Sequence, residues 1–592
     1  MGLVLPVALI LLGGPSTSVA GTPPGEARPN VVVIMTDDQG YGDLGVHGNP
    51  VLETPRLDRL AAESARAGTF YVHPVCTPTR AALMTGRHPQ RSTAIDTWIG
   101  RAMLDPSAVT IAERLSDAGY ATGIFGKWHL GDCAPMRAID QGFDVSVIHA
   151  GGGIGQPSDP PGGESAYTDP ILLRNGVPES FQGFCTQVYV DEAIRFIDQA
   201  DRPFFLTLTP NAPHGPFGDV PEDLYEKYRG LDVDAAGASN PDRQARIFAM
   251  DEDIDRQVGR LLDHLEASGL VEDTVVIYLH DNGPDHDGYV AGLRGRKGSV
   301  HEGGIRSPLF VRWPRRIEPG ERPELMGAHL DLHPTILELC GVAPNPELPV
   351  DGISLVPALV DPAVSTTDRS IVIQAHRGDR PVRWHHAMVR DGRWKLVNHS
   401  GFGREIPDGE SVAMNLALYD LQDDPAETRD LAMEHPDQVE RLSRIYRDWW
   451  ASTIAQDSDA YHPPAIRIGP ETGPVRLTRQ DWRRTRKGPW GGRSQGRWWV
   501  DSRPGSTHEI VLRARPGGGL QPDDFEIRFE GKVLRAADWP TGEKTVVLKE
   551  VDVPPGTGWL EVRCRDADGE YGPHQVEVRP TLPSDPPSPS RE

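Results

Sequence analysis

The chain has 592 residues, enough for one large domain with smaller additions and a substantial core. Its 61 lysines and arginines face 85 aspartates and glutamates, a net charge of −24, so nucleic acid and anionic membrane surfaces are excluded as default partners. Any anionic ligand must be drawn by a local patch, and five cysteines (Cys76, Cys133, Cys185, Cys340, Cys564) are too few for a disulfide scaffold; one or two bridges fit the count, and buried free thiols fit it equally.

Gly2 to Leu12 is apolar and leads to Ser18-Val19-Ala20, a small-x-small cleavage pattern, so residues 1–20 read as an export signal even without Lys or Arg at the start. The stretch is too short to span a bilayer, and no lipid-accepting Cys lies near the cleavage point. A periplasmic or secreted protein without stable membrane insertion is expected. Asn30 to Met35 is a continuous β-branched run, the pattern of a strand buried on both faces, ending at Thr36-Asp37-Asp38. Pro55 to Ala67 carries helical spacing, with Thr54 as cap and Pro55 in the first position. Pro78 suits a first helical turn, so a helix is expected from Cys76 through Met84 to a stop at Gly86. Thr110-Ile111-Ala112-Glu113 has the form of a capping box, and the strand Ala121 to Phe125 runs into Gly126-Lys127-Trp128-His129.

The alternation continues with a helix over 187–199, a strand from Phe204 to Thr209 ending at Asn211-Ala212-Pro213-His214, a long helix over 242–267, and a strand from Thr274 to His280 ending at Asp281-Asn282-Gly283. Ser307 to Trp313 reads as a further strand and Asp331 to Cys340 as a helix. Strands alternating with helices predict an α/β fold with a large, doubly wound, mostly parallel sheet, whose ligands gather beyond the carboxyl ends of the strands. Asp37, Asp38, Lys127, His129, His214, Asp281 and Asn282 all fall just after such strands. From about Arg369 the texture changes: Ile371 to Gln374, Ala387 to Arg390 and Arg393 to Val397 predict a small antiparallel sheet with a type I′ turn at Asp391-Gly392, followed by a helix from Pro436 to about Trp450. Residues 456–474 read as a linker, 475–580 as an all-β, sandwich-like domain, and 581–592 as a disordered Pro/Ser-rich tail.

Cys76-Thr77-Pro78-Thr79-Arg80 puts a cysteine at a positive helix end, with Arg80 on the same face one turn deeper, so an anion held near Cys76 meets both. Three residues separate Cys76 from Arg80, too few for the loop with which cysteine phosphatases wrap a phosphate. Cys-x-Pro-x-Arg resembles the signature of the sulfatase family, with Thr79 where the usual form has Ser. Gly119 to His129 resembles the second signature, Asn211 to His214 the substrate-histidine loop, and Leu293 to Gly304 the late lysine segment. The resemblance covers about Pro29 to Trp450. It implies an alkaline phosphatase-like catalytic domain over 29–365, with a C-terminal antiparallel subdomain over 366–455.

It further implies that a maturation enzyme oxidises Cys76 to formylglycine, and that Asp37, Asp38, Asp281, Asn282 and residue 76 bind one ion. The oxygen-only set suits a hard cation and favours Ca2+ over zinc. In the implied mechanism a hydroxyl of the hydrated aldehyde attacks sulfur, and Lys127 and Lys297 meet the developing charge. Arg80 holds the hydrate, His214 or Lys297 protonates the leaving oxygen, and His129 takes a proton from the second hydroxyl to expel sulfate. The substrate class is a sulfate ester, of a carbohydrate or an aryl alcohol. The alternatives are a phosphodiester or phosphonate ester hydrolase of the same superfamily, or a silent sulfated-glycan-binding protein with an unmodified Cys76. The loop from His149 to Gly163 is long enough to line a pocket rim, and Asp285, His286 and Asp287 offer the residue types of a second metal cluster, although His286 is expected to be an exposed loop residue. Trp482, Trp490, Trp498, Trp499, Trp539 and Trp559, beside a basic run over 476–497, suit either a core or a glycan platform.

Overall fold

In the computed structural model, residues 28–403, 405–406, 410–455, 460–486, 492–505, 507–514 and 521–581 are described. The export-signal segment, the tail beyond 581 and Trp490 lie outside them.

A ten-stranded sheet organises the molecule. Its strands are β1 (Asn30–Thr36), β2 (Ala65–Tyr71), β3 (Ala121–Lys127), β4 (Val145–His149), β5 (Ile171–Arg174), β6 (Val177–Ser180), β7 (Phe204–Thr209), β8 (Thr274–His280), β9 (Leu309–Arg312) and β10 (Gly320–Ala328). The order is β10-β2-β9-β8-β1-β7-β3-β4-β5-β6, and only β9 and β5 run against the rest. The α/β expectation holds. Alternate residues of β1 feed opposite cores: Val31, Val33 and Met35 pack on one face, Val32 and Ile34 on the other, none more than 1% exposed. Each contributes roughly 1.5–3 kcal/mol by leaving water, so β1 cannot slip register without turning both faces over.

One of these expectations needs correction. The helix from Pro55 ends at Ala62, and Ala65–Tyr71 is β2; the pattern of a short helix running into an amphipathic strand has no Gly or Pro to mark the change. β9 pairs antiparallel with both β8 and β2, and with only β5 also reversed the sheet is mostly parallel, as expected. All five cysteines are buried free thiols, the second of the two arrangements that their number allowed.

The helix Cys76–Thr85 is entirely buried, Ile111–Asp117 starts with the anticipated capping box (Glu113 N to Thr110 Oγ1 3.1 Å, Thr110 N to Glu113 Oε2 2.7 Å), and Pro241–Ala267 packs along the far face. A four-stranded antiparallel sheet follows: Ser370–Gln374, Ala387–Asp391, Trp394–Asn398 and Leu416–Asp420. Asp391 pairs with Trp394, which makes Gly392-Arg393 the central pair of the turn; only Gly392 has positive φ, at 54°, so the type I′ geometry expected at Asp391-Gly392 is not formed.

The C-terminal β region holds two sheets. One runs Ile466–Ile468, Gln495–Ser502, Gly556–Asp566, Asp524–Phe529, Lys532–Asp538; the other Val475–Thr478, Gln575–Thr581, Thr507–Arg513, Thr545–Val551. Ile466–Ile468 pairs within the first sheet, so the segment read as a linker carries a strand. Trp482, Trp498 and Trp539 are buried between the sheets, and this core continues into Ile99, Met103, Cys133 and Met136 of the large domain. Trp499 and Trp559 are half-buried, their rings tilted at 58° with centroids 5.0 Å apart.

Candidate functional site

Four neighbouring strands, β8, β1, β7 and β3, run parallel, so their carboxyl ends open on one edge of the sheet. β8 delivers Asp281 and Asn282, β1 delivers Asp37 and Asp38, β7 leads to His214, and β3 ends on Lys127 with His129 two residues on. Lys127 is the last strand residue, not the first of the loop. Asp281 N donates to Thr36 O at 3.1 Å and Asp38 N to Asp281 Oδ1 at 3.2 Å, which stitches two loops together. Asp38 and His129 hold left-handed backbone angles, φ 65° and 56°, a strained conformation for residues with side chains.

Cys76 opens the helix Cys76–Thr85 over this edge. Ligand atoms of Asp37, Asp38, Cys76 and Asp281, all buried, lie within 4.8 Å of one another. The Cys76 thiol is 3.5 Å from Asp37 Oδ1, and burial pushes its pKa well up. Each carboxylate has a cation: Lys127 Nζ is 2.7 Å from Asp37, Lys297 Nζ 2.6 Å from Asp38, and Arg80 2.8 Å from Asp281. Burial raises Asp281 to about 6 and repulsion from Asp37 adds to it, while Lys297, Asp38's neighbour, draws Asp38 well below the carboxylate range against the opposing effect of its burial. Lys297 is likewise disfavoured as a cation by burial, yet Asp38 outweighs this and holds its pKa well above the usual lysine value.

Asn282 Nδ2 donates to Asp38 Oδ1 at 2.9 Å and to Gly283 O, while its buried Oδ1 has no partner among the described residues. An unpartnered buried amide oxygen beside three clustered carboxylates is a donor set for a hard cation such as Ca2+, and so passes the chemical test for one. Arg80 is engaged by Asp281, through Nε and an Nη, and by the Lys127 carbonyl at 2.7 Å. It therefore positions a carboxylate of the cluster. Thr79 Oγ1 donates to Asp281 O at 2.7 Å and accepts from His73 N at 2.9 Å; only a hydroxyl is needed there, so Thr serves where Ser is usual.

His129 Nε2 lies 2.8 Å from the Thr97 carbonyl, which makes that nitrogen the donor and leaves Nδ1 as the lone-pair nitrogen, buried and without a partner among the described residues. His214 donates from Nδ1 to Gly215 O at 2.7 Å and turns Nε2 toward Asp38 at 3.7 Å. Burial lowers the pKa of both rings, that of His214 to about 4. A Cβ at position 152 would meet the His129 ring at 2.6 Å, and one at 153 the His214 ring at 2.7 Å. The glycine run after His149 is thus required by the two imidazoles pressed against it, and Gly152 and Gln156 line the cavity as the loop length suggested.

The cavity above the cluster has a volume of about 790 Å³, and its wall includes Trp98, Arg377, Phe402, Glu405 and Arg484. None of these was foreseen, because they come from three separate parts of the chain and none follows a strand of the large sheet. His286 is buried and bonded to Asp43 at 2.8 Å, not exposed; Asp285 and Asp287 pair with Arg243 and Ser239, so this loop builds no second cluster.

The family model described as Sulfatase matches residues 29–342, and one described as N-sulphoglucosamine sulphohydrolase, C-terminal, matches 296–445. The chain is 33% identical to canine N-acetylgalactosamine-6-sulfatase, covering 63% of this chain and 72% of the relative. It is 34% identical to human arylsulfatase A, covering 68% and 83%. A solved structure titled Ps i-CgsB in complex with k-i-k-neocarrahexaose superposes with a TM-score of 0.62 at 26% identity, covering 73% of this chain and 94% of that one.

Proposed function

The chain belongs to the sulfatase family and is a sulfuric ester hydrolase; from that membership we propose that it acts on sulfate esters of carbohydrates, with residue 76 as formylglycine and calcium held by Asp37, Asp38, residue 76, Asp281 and Asn282. The observation that carries this reading is the 4.8 Å convergence of three carboxylates and Cys76 at the foot of a cavity lined by His129, His214 and Lys297. The names of the relatives add an amino-sugar sulfatase, and a structural neighbour adds a bound neocarrahexaose. Residues 1–20 support export, and no described helix is long and apolar enough to cross a membrane.

Calcium, when bound, supplies a double positive charge that acidifies an oxygen held against it and offsets charge on a sulfuryl group. The aldehyde form of residue 76, once water has added to its carbonyl, would supply two hydroxyls where the buried thiol offers one poor nucleophile. The remaining work falls to fixed side chains. Lys127 and Lys297 present ammonium groups to the sulfuryl oxygens, and the strong hold of Asp38 on Lys297 makes it a clamp in preference to a proton donor. His214 presents Nε2 to the cavity, and an arriving anion raises its proton affinity, which suits it to protonate the leaving oxygen. His129, its Nε2–H tied to Thr97, keeps the lone pair of Nδ1 free to take a proton from residue 76. Arg80 keeps Asp281 in place.

Peptide mass analysis across position 76 tests the modification, since conversion to the aldehyde removes about eighteen mass units. Turnover of nitrophenyl sulfate compared with a nitrophenyl phosphate diester tests the reaction. An unmodified thiol, or preference for the diester, overturns the proposal.

A further inference from the structure

One wall of the cavity comes from outside the large sheet. Arg377 follows the strand Ser370–Gln374, Phe402 and Glu405 follow Trp394–Asn398, and Arg484 lies on Arg483–Arg486 of the C-terminal β region. The guanidinium groups of Arg377 and Arg484 lie over the Trp98 indole, 5.2 and 5.1 Å from its centroid, and Arg377 is 4.3 Å from that of Phe402. Aromatic faces thus set the planes of both forks.

Arg377 pairs with Asp96 at 3.0 Å, Arg484 with Glu405, and Arg483 with Asp379 at 2.9 Å; Arg101 reaches Asp379 at 2.8 Å and Asp96 and Glu405 at 3.5 Å each. Among the described residues, the four guanidinium groups of Arg101, Arg377, Arg483 and Arg484 gather with three carboxylates at the cavity wall of a chain whose net charge is −24. As a purely structural device a mostly buried ion cluster is poor, since apolar residues of similar size would hold the wall as well. An arginine carries five N–H donors in a rigid fork that matches sulfate and carboxylate oxygens, and each of these two is oriented by a ring.

We infer that Arg377 and Arg484 form a second anion subsite, which takes a sulfate or carboxylate group on the same glycan whose scissile sulfate sits at the carboxylate and lysine end of the cavity. The substrate class is then a polyanionic oligosaccharide. This rests on the sulfatase reading for the identity of the first subsite. It also gives the C-terminal β region a part in substrate choice, because Arg484 belongs to it.

Sucrose octasulfate is the probe, with inorganic sulfate as the single-anion reference. Binding is measured by calorimetry, which needs no turnover, and by inhibition of nitrophenyl sulfate hydrolysis. The expected result is that Arg377→Ala and Arg484→Ala each weaken octasulfate binding about tenfold, the scale of a lost charge-assisted pair, while affinity for inorganic sulfate changes far less. Glu405→Gln releases Arg484 from its carboxylate and is expected to tighten octasulfate binding severalfold, a gain that misfolding cannot mimic. A uronate disaccharide without sulfate separates the carboxylate from the sulfate source: competition by it assigns a carboxylate, and its failure beside octasulfate binding assigns a sulfate. Octasulfate affinity unmoved by all three substitutions overturns the subsite. Absence of nitrophenyl sulfate turnover alongside tight octasulfate binding would instead sink the proposed reaction and leave the subsite standing.

Discussion

Two buried clusters of carboxylates and cations lie in this molecule, and they are built to opposite ends. Beneath the late lysine segment, Glu302 accepts from Tyr71 at 3.0 Å, Lys395 at 2.8 Å and Arg306 at 3.2 Å, while Glu427 accepts from His301 and Lys395 at 3.0 Å each and from Glu302 N at 2.7 Å. Every carboxylate oxygen there has a protein donor. At the sheet edge, by contrast, Asn282 Oδ1 and His129 Nδ1 are left without partners among the described residues, and the ligand atoms of four side chains point at one spot beside a cavity. A closed network fastens the helix Glu302–Ile305 to the antiparallel sheet; an open one waits for something to complete it. The difference makes four predictions, each of which moves one cluster and not the other.

The largest effect belongs to Cys76→Ser, which keeps the shape of the side chain but offers one hydroxyl and cannot become the aldehyde through the same oxidation. Turnover of nitrophenyl sulfate is expected to fall at least ~10⁴-fold, as when other single nucleophiles are removed, with the melting temperature unchanged. Activity within tenfold of the parent would mean that residue 76 is not the nucleophile.

Next comes the ion. Chelation with EGTA should abolish turnover and lower the melting temperature of the parent protein, because an ion at a hundredfold excess over its dissociation constant stabilises by about 2.7 kcal/mol. Asp281→Asn, which removes one carboxylate of the cluster and the partner of Arg80, should blunt that shift. A chelator-insensitive melting temperature in the parent would count against a bound cation.

Glu427→Gln addresses the closed cluster. Burial works to raise the Glu427 pKa, but Lys395 and His301 outweigh it and hold it at about 2. A folded-state value below the unfolded one means that its contribution is fully present above about pH 4.5 and is lost as pH falls through about 2. The substitution is therefore expected to cost about 3 kcal/mol at pH 7, and the gap between parent and variant in urea denaturation should narrow as pH drops below 4.5. A gap that does not depend on pH would assign the loss to packing instead of charge.

The two clusters also differ in how far they can be read from the chain itself. Asp37, Asp38, Asp281 and Asn282 each follow a β-branched run buried on both faces, and strands of that kind lie side by side in one direction, so their ends must meet. Lys127 and His129 follow by the same rule through β3. Glu427, Lys395 and Glu302 meet because an antiparallel sheet packs on the large one, and no local periodicity encodes that docking. β2 escaped for a related reason: four of its seven residues are only partly buried, which hides a strand behind helical spacing. Trp98, Arg377 and Arg484 escaped because their meeting depends on how three parts of the chain settle against one another.

The smallest effect lies where the C-terminal β region touches the open cluster. Gln480 Nε2 donates to the Thr97 carbonyl at 2.7 Å and lies 3.3 Å from His129 Nε2, which donates to the same oxygen. The amide orientation is set by chemistry, since a carbonyl can only accept and the NH2 group must face it. Two donors thus pin Thr97, and Thr97 fixes which nitrogen of His129 carries the proton. Gln480→Ala removes one of them and leaves the other, so turnover should fall only about three- to tenfold, the scale of one neutral hydrogen bond. Gln480→Glu should do more harm, because a carboxylate against the carbonyl repels it and draws a second proton onto His129, shifting the acid limb of the pH profile upward. If both variants keep the parent rate and profile, the β region meets His129 by packing alone, and its part in the reaction reduces to the cavity wall.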